Sequence, residues 1–325
     1  MKIRSKFLSN TPKAQETDPD DLGFGTKITG DGQRLINSDG TYNVVRQGLT
    51  SWTPYQDLVE MSWSRFFLIV LLFYVLVNSF LGLLYLLVGI DNLQGVAPGN
   101  LLTDFASAFF FSVQTFTTVG YGAVSPDGYP ANILAALGAL IGLMSFALAT
   151  GLVFARFSKP KAAILFSENA IIAPYRGITG FMFRIANKRA NKMINLTARV
   201  TMSWLEMEDG KKARKFAALK LERDKIYMFP LNWTLVHPID EESPLHAKTE
   251  AELLEMQAEF IILIEGHDET YAQMVHANGS YLSADVRWHK RFEPMYEPTS
   301  DGRTLFNLEK INSFQDANME QQAEA

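Results

Sequence analysis

The chain has 325 residues, no cysteine and a formal net charge of -5, and 47% of its residues are hydrophobic. That length suggests about two domains, and the empty cysteine count excludes disulfides, thiol catalysis and thiolate metal sites. The five histidines show no metal-binding spacing, and mild acidity without a basic stripe argues against a nucleic-acid partner.

Residues 1–33 are polar and aperiodic, carry no signal peptide, and are expected to be flexible. A strand and an interfacial helix are expected over 34–64. Arg34 to Gly40 reads as a short strand running into an Asp-Gly turn. Thr53, Pro54 and Gln56 read as a helix start with a capping box. Tyr55, Leu58 and Val59 then share one face, with Trp52 and Trp63 near the ends. This pattern suits a helix lying in a membrane interface, the alternative being a short soluble helix packed on a core.

A transmembrane pore domain is expected over 65–158, with spans at 66–90 and 131–157 and a pore helix at 104–115. Both spans are nearly unbroken apolar runs, long enough to cross roughly 30 Å of hydrocarbon. No Lys or Arg occurs between Arg65 and Arg156, whereas both outer flanks carry them, so both termini are expected on the cytoplasmic side. Asp104 to Thr115 is too short to span and is expected to be re-entrant and buried in protein.

Thr118-Val119-Gly120-Tyr121-Gly122 follows. A dehydrated monovalent cation needs rings of oxygen in place of its water, and consecutive backbone carbonyls supply them if they face one axis. Gly120 and Gly122 permit this because glycine reaches φ > 0 without a Cβ clash. The string is also the known potassium-channel filter sequence, matched here rather than derived. Potassium is therefore the expected permeant ligand, bound through Thr118, Val119, Gly120 and Tyr121, with no cofactor. One chain supplies one copy of the loop, so a four-fold filter requires a homotetramer.

Beyond Pro160 period-two patterns dominate. Leu196, Ala198, Val200, Met202 and Trp204 alternate with polar residues, and Phe181, Phe183 and Ile185 fall two apart. Phe260 to Ile264 reads as a fully buried strand. A β-sandwich is expected over 159–312, interrupted by one helix opened by a Thr249–Glu252 capping box, with a flexible tail over 313–325.

Longer stretches carry a resemblance. Arg34-Leu35-Ile36 with Asp39 to Val45, Phe110 to Thr115, Gly151 to Arg156 with Pro160-Lys161, Phe183 to Asn187, His237 to Leu245, and Tyr281 to Asp285 together resemble the inward-rectifier potassium channels. The bacterial branch fits best. Animal members carry Glu where Gln114 stands and Arg beyond the filter, where this chain reads Ala123-Val124-Ser125, so the ion pair thought to brace the filter is missing. The fold implied is a membrane α-helical pore with two transmembrane helices and a re-entrant pore helix per subunit. A cytoplasmic all-β, immunoglobulin-like sandwich follows, and the assembly is a homotetramer in a bacterial inner membrane.

The resemblance also implies roles for particular residues. Phe154 matches a gate at the inner helix bundle, the alternative being interhelical packing. Gly142 and Gly151 match hinge positions or close helix approaches. Arg156, Lys159 and Lys161 match anionic-lipid ligands, although basic residues after a span also simply satisfy topology. Phe146, Asn195 and Asp285 match pore-lining positions that are acidic in strong rectifiers. Only Asp285 keeps its carboxylate, so weak rectification is expected. Two other functions compete: a membrane-anchored enzyme or binding protein, for which no catalytic motif appears, and a potassium-uptake subunit, which would carry several filter loops per chain.

Overall fold

The computed structural model describes residues 22–25, 30, 32, 34–45, 47–48, 52–160, 162–189, 191–208 and 210–317. These form two units, one within 47–159 and one combining the described parts of 1–46 with those of 160–325.

The first unit is helical. α1 (Pro54–Glu60) precedes α2 (Trp63–Val88), α3 (Leu101–Phe116) and α4 (Gly128–Phe157). α2 and α4, of 26 and 30 residues, contain 18-residue stretches of mean hydropathy 2.6 and 2.2, which makes both long and apolar enough to cross a bilayer. α2, α3 and α4 each begin about three residues before the expected start. For α3 the reason is Asn100, whose side chain accepts from the Leu102 and Thr103 amides. For α4 it is Asp127, whose carboxylate accepts from Gly128 N–H. Thr53 stands at the start of α1, yet its side chain makes no capping bond, so the expected box with Gln56 is absent. Pro54, which needs no N–H partner at the first helical position, marks this end instead. Short strands β1 (Leu93–Gln94) and β2 (Ser125–Pro126) pair antiparallel across the connections around α3.

The second unit is a sandwich of two five-stranded sheets. One sheet orders β11 (Gln273–Leu282), β10 (Glu259–Asp268), β6 (Met193–Glu208) and β7 (Lys211–Leu219), with β8 (Lys225–Met228) also on β6. The other orders β12 (Val286–Trp288), β4 (Ala170–Tyr175), β5 (Ile178–Asn187) and β3 (Ile164–Phe166), with β9 (Asn232–Ile239) on β5. Their inner faces supply one core, in which Phe181, Phe183 and Ile185 meet Leu196, Val200 and Phe260. The alternation read from sequence is the pleat of these strands. The Thr249–Glu252 capping box is present and opens α5 (Glu250–Glu255).

The segment from 313 onward differs from the expected flexible tail. Phe314–Asp316 forms a strand paired with Lys290–Phe292, placing Phe314 opposite Phe292. A single aromatic anchor in a polar run leaves no periodic signal, and residues 318–325 lie outside the described ones. The expected strand and turn after Arg34 is a small hairpin. Ile36 bridges Tyr42, and Gly40 takes a φ of 81° at the turn. Of the 1–33 segment expected to be flexible, only 22–25, 30 and 32 are described.

Candidate functional site

α3 ends in a tightening turn. Thr117 N–H donates to the Val113 carbonyl at 3.0 Å, and Thr118 N–H to that of Thr115 at 3.1 Å. The Gln114 carbonyl then accepts from both Val119 N–H (3.0 Å) and Gly120 N–H (3.3 Å). Two amides of the loop are thus fastened to a helix carbonyl that has no partner further along the helix. This backbone fork is a brace the sequence did not disclose, since any residue at position 114 offers the same carbonyl.

The loop backbone alternates in hand. Gly120 and Gly122 take φ of 53° and 81°, as glycine allows, and Thr118 takes 59°, while Val119 and Tyr121 stay out of the left-handed region. Such alternation flips successive peptide planes, so that amides collect on one side of the strand and carbonyls on the other. Thr118 was legible as a filter residue but not as a left-handed one, because β-branched residues seldom enter φ > 0. On the isolated subunit Val119 and Tyr121 are exposed.

Two contacts position α3. Ser112 Oγ donates to Asn78 Oδ1 at 2.9 Å, and Asn78 Nδ2 donates to the Tyr74 carbonyl at 2.8 Å, with both side chains buried. Polar side chains at bilayer depth need partners, and this pair ties α2 to the middle of α3. In the sequence Asn78 and Ser112 are merely polar interruptions of apolar runs. On the other side, α4 passes so close to the end of α3 that a Cβ on Gly142 would lie 2.0 Å from the Phe116 carbonyl oxygen. Gly142 is therefore a contact glycine rather than a free hinge, whereas a Cβ on Gly151 would meet nothing within 4 Å.

Phe146 is exposed on α4 and lines a cavity of about 620 Å³ together with Phe116, Thr117, Thr118, Gly142 and Leu152. Phe154, two turns further along, is exposed outside that lining. Arg156 and Lys159, which follow, are engaged within the subunit. The Arg156 guanidinium donates to the Leu58 carbonyl and, at 2.6 Å, to that of Met61, which caps the C-terminal end of α1. It also lies 4.4 Å over the Trp63 ring and 4.8 Å over Phe66. Lys159 pairs with Glu60 at 2.8 Å, and that hydrogen bond holds the Glu60 carboxyl below its ordinary value. Lys161 lies outside the described residues.

In the second unit, Asn195 sits exposed at φ 52°, beside a register shift between β6 and β10. Asp285, expected as a pore-lining carboxylate, is partnered within the subunit. Its Oδ2 accepts from Arg34 Nη2 at 2.6 Å and from Leu282 N–H at 2.9 Å. Among the described residues no group of three or more His, Asp or Glu is arranged to hold a metal.

Two spanning-length helices flanking a short helix whose end turns into a loop of alternating hand define a pore-forming membrane subunit. Comparison with known proteins agrees. The family profile described as inward rectifier potassium channel C-terminal domain matches residues 164–324, and one described as ion channel matches residues 66–159. Inward rectifier potassium channel Kirbac3.1 of Paramagnetospirillum magnetotacticum is 37% identical over 284 residues, covering 86% of this chain and 95% of that protein. The human G protein-activated inward rectifier potassium channel 2 is 26% identical over 293 residues, covering 81% of this chain and 68% of its own. The chain belongs to the inward rectifier potassium channel family, as a membrane protein and an ion channel rather than an enzyme.

Proposed function

We propose that four copies of this chain surround one axis and conduct potassium passively, with Thr118 to Gly122 as the selectivity filter. The observation that carries this reading is the alternating backbone at 118, 120 and 122. Amides turned to Gln114 leave the carbonyl side of the loop to replace an ion's hydration shell. Both termini then lie in the cytoplasm of a bacterial cell whose inner membrane holds the channel.

The inner helices gate at Phe154, where four rings exclude water. Anionic headgroups modulate the gate chiefly through Lys159 and Lys161, each basic residue contributing about 1 kcal/mol of surface attraction. Arg156 has a different part in this reading. Its guanidinium is committed to α1, so it couples α1 to the end of α4 two residues after Phe154. Purified protein in liposomes tests the core reading directly. Tetramers should pass rubidium without added energy and exclude sodium, and energy-dependent or absent flux would overturn it. Repeating the assay across anionic-lipid contents tests modulation. Neutralising Lys159 and Lys161 should flatten the lipid response, and an unchanged response would leave them as topology signals.

Rectification should be weak. Block by internal polyamines needs carboxylates along the path, because attraction between charges rises as the effective dielectric falls. Phe146 and Asn195 supply none, and Asp285 is partnered. Phe146→Asp, beside the cavity that reaches Thr118, should strengthen spermine block by about tenfold or more and steepen its voltage dependence. Planar-bilayer currents decide this, and steep block of the unmodified channel would refute the reading.

A further inference from the structure

The segment Arg34–Asn43 lies against the β10–β11 face of the sandwich without joining its ladder. The only strand-like pairing within the segment is the internal bridge from Ile36 to Tyr42. What holds it is a buried side chain. Glu259, fully buried on β10, accepts from Leu35 N–H through both carboxylate oxygens, at 2.8 and 3.1 Å, and from Ile36 N–H at 3.2 Å. Ser280 Oγ donates to the Ile36 carbonyl at 2.6 Å, and Leu35 and Ile36 pack on Phe216 and Ile261. Arg34 then reaches Ser280 Oγ, the Ser280 carbonyl and Asp285. A carboxylate presented to two consecutive amides of a segment more than 220 residues away in sequence is a receptor for extended backbone, not an ordinary core group.

We infer that residues 34–43 form a releasable strap, clasped by Glu259, whose Arg34 neutralises Asp285 while it is docked. Attachment by side chains rather than a strand ladder lets the strap leave without opening the sheet. Tyr42, Val44 and Val45 are already exposed. Burial pushes the Glu259 carboxyl above its ordinary value, while the Leu35 and Ile36 amides, Ser280 and the buried Arg214 guanidinium pull it down. The strap amides are thus part of what compensates its charge, beside groups of the sandwich itself. The ligand of this site is an arginine followed by two apolar residues in extended form, supplied by the chain itself. Release would free the one acidic side chain among the three candidate pore positions, and channels with the strap undocked would be blocked by polyamines more tightly. That last step rests on the reading of Asp285 as pore-lining.

Two substitutions open the strap from opposite sides. Glu259→Gln leaves one acceptor oxygen for the two amides, removes the negative charge and turns an N–H donor toward the Leu35 N–H. Gly40→Val acts on the strap alone, because even a Cβ there would lie 2.6 Å from the Asn278 carbonyl oxygen and the φ is 81°. In full-length tetramers both variants should speed hydrogen exchange at the Leu35 and Ile36 amides and tryptic cleavage after Arg34 by about tenfold. Spermine block in bilayers should tighten by about fivefold, and adding Asp285→Asn should abolish that gain. Amides still protected in Gly40→Val would overturn the clasp. Deprotected amides with unchanged block would overturn the neutralising cover. In the latter case, if Phe146→Asp still strengthens block, the fault lies with the placement of Asp285 and not with the assay.

Discussion

Gly142→Ala should abolish rubidium uptake and lower the temperature at which the proposed tetramer dissociates, while the β-sandwich melts as before. The added methyl would lie 2.0 Å from the Phe116 carbonyl oxygen, 2.7 Å from its carbon and 2.9 Å from its Cα. All three atoms are backbone, so no rotamer change relieves the overlap, and α4 must move away from the end of α3. Overpacking of this kind costs about 1–3 kcal/mol per site, and a four-fold assembly incurs it in every subunit. The displaced atoms also belong to the residue just before the turn into the filter loop. Gly151→Ala provides the contrast. Its Cβ meets nothing within 4 Å, so stability should be unchanged or rise slightly through better helix propensity. Near-wild-type uptake by Gly142→Ala would show that the contact is absent in the assembled channel.

Gly120→Ala should remove selective conduction by a different route. Within the subunit the new Cβ meets nothing within 4 Å, yet the backbone there holds φ at 53°. The left-handed conformation costs an L-residue about 1–2 kcal/mol. Four copies therefore add several kcal/mol to a loop that already carries Thr118 in the same region. Relaxation would rotate the peptide planes on either side of position 120 and break the alternation of the loop. Rubidium uptake should fall to background with an intact sandwich. Retained uptake that still excludes sodium would sink the proposal that this loop selects the ion.

The sequence disclosed what repeats or what demands a particular residue. Uncharged runs of spanning length, the period-two rows of β5 and β6, and the two glycines of the loop were legible for that reason. The Thr249–Glu252 box was legible because its residue types are specific to the task. What escaped was made by backbone or by isolated side chains. The Gln114 carbonyl fork, the left-handed Thr118 and the Phe314 anchor leave no compositional trace. The basic cluster after α4 was visible as charge, but whether Arg156 meets lipid or α1 depends on where a loop of carbonyls happens to fall. Asp285 likewise was legible as an acid, while its partner stands 251 residues earlier.

Thr118 carries a consequence for how the loop keeps its shape. A β-branched residue at φ 59° holds strain of about 1–3 kcal/mol, and the side-chain ion pair that could oppose it in animal relatives is missing. The backbone fork to Gln114 restrains the amide side only. On the carbonyl side of the proposed tetramer, four converging sets of oxygen dipoles would repel one another unless a cation sat among them. The permeant ion would then also be a structural part, a removable keystone whose departure lets the strained residue relax. Tetramers kept in potassium should accordingly outlast those kept in sodium.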